Sequence, residues 1–188
     1  RKPDIRAMAR EIGLAVAEKR DSQEICFVPD GDHTAFIQNR TGTNDHAGEI
    51  VTTVGKVVGR HDGIERFTIG QRKGLRVALG EPHFVVDLDP NTRRVVVGRR
   101  EDLACSALVA DRANWLDDPP DEPFDCLAQI RYNSTAAAAR VVPVGDERIE
   151  VHFDDPQFGV APGQAVVCYD GDRVLGGAWI AARLPVAV

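Results

Sequence analysis

Cys26 stands in an apolar run, Ile25-Cys26-Phe27-Val28, with acids around it at Asp21, Glu24 and Asp30. Free cysteines are among the most buried side chains and usually pack as small hydrophobes. A reactive thiolate needs a helix N-terminus or a basic neighbour to lower its pKa, and the flanking carboxylates act the other way. The residues themselves leave packing and sulfur chemistry both open. Cys105, Cys126 and Cys168 are scattered with no C-x-x-C spacing, so neither a zinc site nor a dense disulfide framework is signalled.

Three other stretches carry groups that suit a polyanion. In Phe67-Thr68-Ile69-Gly70-Gln71-Arg72-Lys73-Gly74-Leu75, two glycines bracket Gln71, Arg72 and Lys73 after an expected strand. Glycine lets backbone approach a phosphate closely, while Arg and Lys offer a fork and a point charge. The spacing is not that of a Walker loop, and a charged hairpin turn reads equally well. Ile130-Arg131-Tyr132-Asn133-Ser134 ends an expected strand. There Arg131 can reach phosphate or a base edge and Tyr132 can stack on a base, against the plain reading of a strand end. Ala161-Pro162-Gly163-Gln164 has type II turn chemistry and is expected to display Gln164 at its tip. His61, in Gly59-Arg60-His61-Asp62-Gly63, lacks a second ligand at a metal-type interval and reads as a surface turn. Gly176-Gly177 inside a strand pattern predicts close backbone approach or a bulge.

These side chains need elements to hold them. The 188 residues are 43% hydrophobic and 28% charged, the balance of an ordinary globular protein. No stretch approaches a membrane span, and no signal peptide is visible, so the cytoplasm is the expected compartment. The net charge of −6 excludes a uniformly basic nucleic-acid binder. Its distribution is uneven: Lys56, Arg60, Arg66, Arg72, Lys73, Arg76, Arg93, Arg94, Arg99 and Arg100 precede an acidic block from Glu101 to Asp125. A basic middle can present a polyanion-binding face, or simply a solvated one.

Ile5, Met8, Ala9 and Ile12 predict a helix opened by Pro3-Asp4 and stopped by Gly13. Leu14 to Ala17 and Ile25 to Val28 read as extended, and Asp32 as the cap of a short helix over Thr34 to Asn39. After a polar boundary at Thr41 to Asp45 the signals are strands. Ile50-Val51 and Lys56-Val58 form a hairpin, Phe67 to Ile69 is short, and Phe84 to Leu88 turns through Asp89 to Thr92 into Arg94 to Val97. Six more strands are expected at 107–112, 126–132, 139–144, 148–153, 165–169 and 174–184, closing a small barrel or sandwich. The fold class is mostly β: a short helical N-terminal segment, a small β-rich central domain and a C-terminal antiparallel β-barrel. The boundaries fall at 1–43, 44–104 and 105–188. The opening helix has no apolar partner nearby, so the first forty residues read as the end of another domain.

"EKRDSQEICFV", "GRHDGIERFTIGQRKGL" followed by "HFVVDLD", "IRYNS" and "VAPGQAVVCYDGDRVLGGAWI" occur here in that order. The chain from about Lys2 to Leu184 resembles the C-terminal half of the tRNA-specific 2-thiouridylases, the MnmA/TrmU family. That resemblance implies an enzyme that replaces the C2 oxygen of the wobble uridine (position 34) with sulfur. An N-terminal PP-loop domain adenylates the oxygen with ATP and Mg, and a cysteine carries the sulfur as a persulfide. Cys26 falls on the carrier position, and a second cysteine upstream in the family completes release. A urea-like C2 carbonyl is a poor electrophile, so its oxygen must leave as part of AMP and a covalent sulfur nucleophile must replace it. Apolar walls such as Ile25 and Phe27 would keep water out. The resemblance also puts Arg131, Tyr132 and Gln164 on tRNA-contacting positions, and Gln71, Arg72 and Lys73 at RNA contacts or a domain interface. Partners implied are tRNA, a sulfur-relay or cysteine desulfurase donor and the PP-loop domain, with no membrane. No S-G-G-x-D-S loop occurs in the sequence. The 188 residues are therefore expected to bind no nucleotide or metal and to be inactive alone. Two rivals remain: a tRNA-binding module without catalysis, and a thiol or redox protein using Cys26.

Overall fold

A computed structural model describes residues 2–18, 36, 40, 47–145 and 147–184. The chain divides into two compact units, Arg1–Asn44 and Asp45–Val188. In the first, helix α1 spans Lys2–Glu11, and Gly13 ends it in the left-handed region with φ 72°. Its apolar residues Ile5, Met8 and Ile12 are exposed. Leu14 to Ala17 is not extended: the Ala17 amide donates to the Leu14 carbonyl (3.0 Å) and the segment is a turn. Of the second expected helix only Phe36 is described, and it is helical, as is Arg40 just beyond. Cys26 and Ile25 to Val28 lie outside the described residues.

The second unit holds two β structures. The first is a four-stranded sheet of β1 (Gly48–Thr52), β2 (Val57–His61), β3 (Phe84–Asp89) and β4 (Arg94–Gly98), in the order β2-β1-β4-β3. The β1–β2 and β3–β4 pairs are antiparallel hairpins, and β1 runs parallel to β4 with Ile50 opposite Val95. Asp89 closes the second hairpin by accepting from the Thr92 hydroxyl (2.6 Å) and from the Asn91 and Thr92 amides. Those three bonds hold its carboxyl below the ordinary carboxylate range. Ile50, Leu75, Val85, Val95 and Val97 form the sheet's core.

The second is a closed antiparallel barrel, β10-β5-β8-β7-β6-β9. Its strands are β5 (Ala104–Trp115), β6 (Phe124–Gln129), β7 (Ala137–Pro143), β8 (Arg148–Phe158), β9 (Ala165–Asp170) and β10 (Arg173–Leu184). Every second residue points inward, as in Ile149, Val151 and Phe153 of β8. With Leu108, Val141, Val166 and Ile180 they fill the barrel. Gly176 and Gly177 do mark both a bulge and a close approach. A Cβ on Gly176 would lie 2.6 Å from the Asn114 carbonyl oxygen, and one on Gly177 equally close to that of Val166. The register slips on either side of the pair.

Three further expectations, for Phe67 to Ile69, His61 and the strand ending at Tyr132, differ from the structure. Phe67 to Ile69 is not a strand. It is irregular chain after a 3₁₀ turn at Ile64–Arg66, because Phe67 packs into the sheet core while Ile69 joins a different cluster. His61 is not on a surface turn. It ends β2 with only 8% of its surface exposed, and its Nε2 donates to the Arg93 carbonyl oxygen at 2.9 Å. The strand expected to run to Tyr132 stops at Gln129.

Ile69, Val86, Leu103 and Ala161 form a third cluster, which joins the sheet to the barrel. Arg183 of β10 reinforces it by donating from Nη2 to the Val86 carbonyl at 2.7 Å.

Candidate nucleic-acid interface

The Gly70–Gly74 motif folds on itself. The Gln71 side chain accepts from the Thr68 amide through Oε1 and donates to the Lys73 carbonyl through Nε2, both at 3.0 Å. The Gly70 amide donates to Val85 O, and Gln71 O accepts from the Val85 amide. Gln71 is therefore the staple of this loop, while Arg72 and Lys73 are exposed on it. The Thr68, Gly70 and Gln71 amides are therefore engaged within the loop and with β3. Among the described residues no cluster of His, Cys, Asp and Glu could hold a metal.

The basic stretch is partly neutralised. Arg60 and Arg94 share Glu49, and Arg99 pairs with Glu81 at 2.8 Å, which pushes the Arg99 pKa up. Lys56, Arg66, Arg72, Lys73 and Arg76 have no carboxylate in ion-pair range among the described residues. Four of these five flank or belong to the loop.

The barrel meets this loop through Arg131. Its Nε donates to Gln164 Oε1 (3.1 Å) and its Nη2 to the Ile69 carbonyl oxygen (3.1 Å). Its plane lies against Gly159, where a Cβ would stand 3.0–3.2 Å from Nη2, Cζ and Nη1. Gly159 also holds φ 74°, so both space and backbone require glycine there. The expected type II turn is present: Gly163 has φ 83° and the Gln164 amide donates to Ala161 O. Gln164 is not at its tip, however. It is the fourth residue, half-buried immediately before β9, and its side chain reaches Arg131.

Tyr132 follows on a braced turn. The Ser134 amide and hydroxyl both donate to Arg131 O, and Gln129 Nε2 donates to the carbonyls of Ser134 (2.6 Å) and Tyr132 (3.4 Å). Gln129 Oε1 in turn accepts from the Tyr169 hydroxyl at 3.2 Å. The backbone is thus fixed while 97% of Tyr132 faces solvent. Thr68, Gln129, Arg131, Tyr132, Gln164 and Tyr169 border a cavity of about 640 Å³. The structure therefore unites Arg131, Tyr132 and Gln164 beside the Thr68 end of the motif, with Arg72 and Lys73 not among the cavity's lining residues. Sequence reasoning missed Gln129, Tyr169 and Gly159. Only Gly159, a glycine directly after a strand, offered a local signal.

The described thiols are barrel residues. Cys105 is buried, donates to Ala107 O and is pushed up in pKa by that burial. Cys126 and Cys168 share the inner face of neighbouring strands, with Ala128 opposite Cys168. The Cys168 thiol, hydrogen-bonded to Cys126, holds the Cys126 thiol below its usual range, and the same bond and burial drive Cys168 up. A brief alkylation at neutral pH is expected to label Cys126 well before Cys105 and Cys168, read by peptide mass spectrometry. First labelling at either of the others would contradict the assignment.

Three family models match in order along the chain: the tRNA methyl transferase HUP domain at 1–30, the tRNA methyl transferase PRC-barrel domain at 34–99, and the aminomethyltransferase beta-barrel domain at 105–180. Two of the three descriptions name a tRNA methyl transferase. The chain is 55% identical over 186 residues to a protein of Rhodopirellula baltica described as tRNA-specific 2-thiouridylase MnmA, covering 95% of this chain and 46% of that protein. Proteins of the same description from Syntrophotalea carbinolica and Solibacter usitatus are 47% and 48% identical, each with 51% of its length covered. The chain belongs to the tRNA-specific 2-thiouridylase family, and it spans about half the length of these relatives.

Proposed function

We propose that this chain is the sulfur-carrying and RNA-gripping part of an enzyme that 2-thiolates the wobble uridine of tRNA. In this reading residues 1–43 carry the acceptor cysteine, Cys26, at the end of a PP-loop domain. Residues 44–104 and 105–188 are the central domain and the barrel that hold the RNA. ATP and Mg belong to residues other than the described ones, and a sulfur-relay protein or cysteine desulfurase loads Cys26. Cytoplasmic tRNA is the substrate; among the described residues no helix is long and apolar enough to cross a membrane.

One observation carries the RNA reading. An aromatic ring is held 97% exposed on a braced turn, in the same cavity rim as the Arg131 guanidinium. An exposed ring on a fixed backbone offers an unstacked base a ready platform. Arg131 and Gln164 line the same cavity as Tyr132.

Tyr132→Ala tests this reading. Stacking of one base on an aromatic ring contributes about 1–3 kcal/mol, so tRNA affinity is expected to fall roughly tenfold. The melting temperature should hold, because the ring touches little of the fold. Fluorescence anisotropy with labelled tRNA reads the first quantity and thermal unfolding the second. Unchanged affinity would take Tyr132 off the RNA surface.

A further inference from the structure

The barrel has two unlike ends. One carries the connections after β6 and β8, where Arg131, Tyr132 and Gln164 stand. The other carries the three turns that join β5 to β6, β7 to β8 and β9 to β10. All three of those turns display carboxylates: Asp118, Asp121 and Glu122 on the first, Glu147 on the second, Asp170 and Asp172 at the third. Each is exposed, and none has a cation in ion-pair range among the described residues. Arg148 and Arg173, which begin β8 and β10 at this end, are already engaged by Asp111 and Asp117.

The same end exposes apolar groups. Leu116 is 67% exposed and Val144 42%. Between the first two turns lies a cavity of about 320 Å³, walled by Trp115, Pro119, Pro120 and Pro143 and lined also by Asp121. The Phe124 ring meets Trp115 edge-on, with centroids 5.7 Å apart, and the two adjacent prolines fix the loop beside it. The wall is therefore formed in advance, so an incoming side chain costs the barrel little conformational freedom.

We propose that this end of the barrel docks a basic segment of a partner protein, one large apolar side chain of which enters the cavity beside Trp115. Exposed apolar surface rimmed by polar groups marks a protein-binding site. The carboxylates on all three turns set the sign of the partner: they attract lysine and arginine and repel the phosphates of an RNA. The inference goes beyond the RNA reading, which uses the opposite end of the barrel, and stands apart from it.

A fluorescein-labelled peptide with lysines on either side of a single leucine is titrated with the 188-residue chain and with the intact protein. Two control peptides carry glutamate for lysine, or serine for leucine. Anisotropy is expected to show the first peptide binding both proteins about tenfold more tightly than either control. Asp121→Lys with Glu122→Lys alters two exposed loop side chains, so the melting temperature should hold while peptide affinity falls about tenfold. tRNA affinity of that variant should not fall. In the 188-residue chain, Trp179→Phe leaves Trp115 as the remaining tryptophan, and its emission should shift as the peptide binds. Absence of binding, equal binding of the serine control or an unmoved Trp115 emission overturns the site. So does binding to the 188-residue chain that the intact protein fails to repeat, since other residues of that protein would then cover this end. Sedimentation showing a self-associating chain and a monomeric double variant would assign the surface to a second copy and overturn the proposal as well.

Discussion

Cys26→Ser in the intact protein is expected to abolish formation of 2-thiouridine and to leave tRNA affinity within about twofold. A cysteine sulfur can bond a second sulfur and release it again, whereas a serine hydroxyl forms no persulfide under the same conditions. A terminal persulfide is more acidic than a thiol and more nucleophilic than the oxygen it replaces, so it can attack a C2 carbon already activated for displacement. The described thiols offer no substitute. Cys105 and Cys168 are buried with raised pKa, and Cys126 faces into the barrel against Cys168. Rescue from within residues 47–184 is therefore not expected. Mass spectrometry of digested tRNA from cells carrying the variant measures the loss, and residual thiolation at the wild-type level would end the carrier role for Cys26. Binding should persist because the groups proposed to hold RNA lie in Asp45–Val188.

The barrel was legible because its strands alternate. Ile149, Val151 and Phe153 point inward while His152 and Asp154 face out, and turn residues separate each strand from the next. The glycine pair in β10 was equally legible, since two glycines inside a strand pattern leave close approach as the main structural reason. Phe67 to Ile69 failed for the complementary reason. Its apolar alternation does reflect burial of Phe67 and Ile69, but the two pack into different clusters, and the backbone bonds to Val85 are made by Gly70 and Gln71, beyond the segment. His61 failed because its partner, the Arg93 carbonyl, is 32 residues away. The candidate interface shows the same limit more strongly. Arg and Tyr at the end of β6 were recognisable as RNA-type residues from the sequence. That Arg131 reaches Ile69, 62 positions earlier, and Gln164, 33 positions later, was not, because no local pattern encodes either contact.

That clasp sets the expected outcome for Arg131. If the residue acted only as a positive charge, Arg131→Lys would preserve most of its function, and the two substitutions Arg131→Lys and Arg131→Ala would differ widely. The geometry argues otherwise. The guanidinium bonds two acceptors from one planar edge while its face lies against Gly159. A lysine ammonium has no such edge; reaching Ile69 O would take it away from Gln164, and its round, hydrated head would not fit flat over the glycine. Each charged-donor bond lost from this half-buried site costs about 1.5 kcal/mol or more, so Arg131→Ala should destabilise the protein by roughly 3 kcal/mol. For a chain of this size that is a fall of about 6–12 °C in melting temperature. Arg131→Lys is expected to recover less than half of the loss. Both variants should bind tRNA at least tenfold more weakly, since the loop bearing Arg72 and Lys73 would no longer be tied to the turn bearing Tyr132. Melting and anisotropy measured on the same preparations decide the matter: full rescue of both by lysine would reduce Arg131 to a simple charge and remove the clasp as the device that joins the sheet's cations to the barrel's aromatic ring.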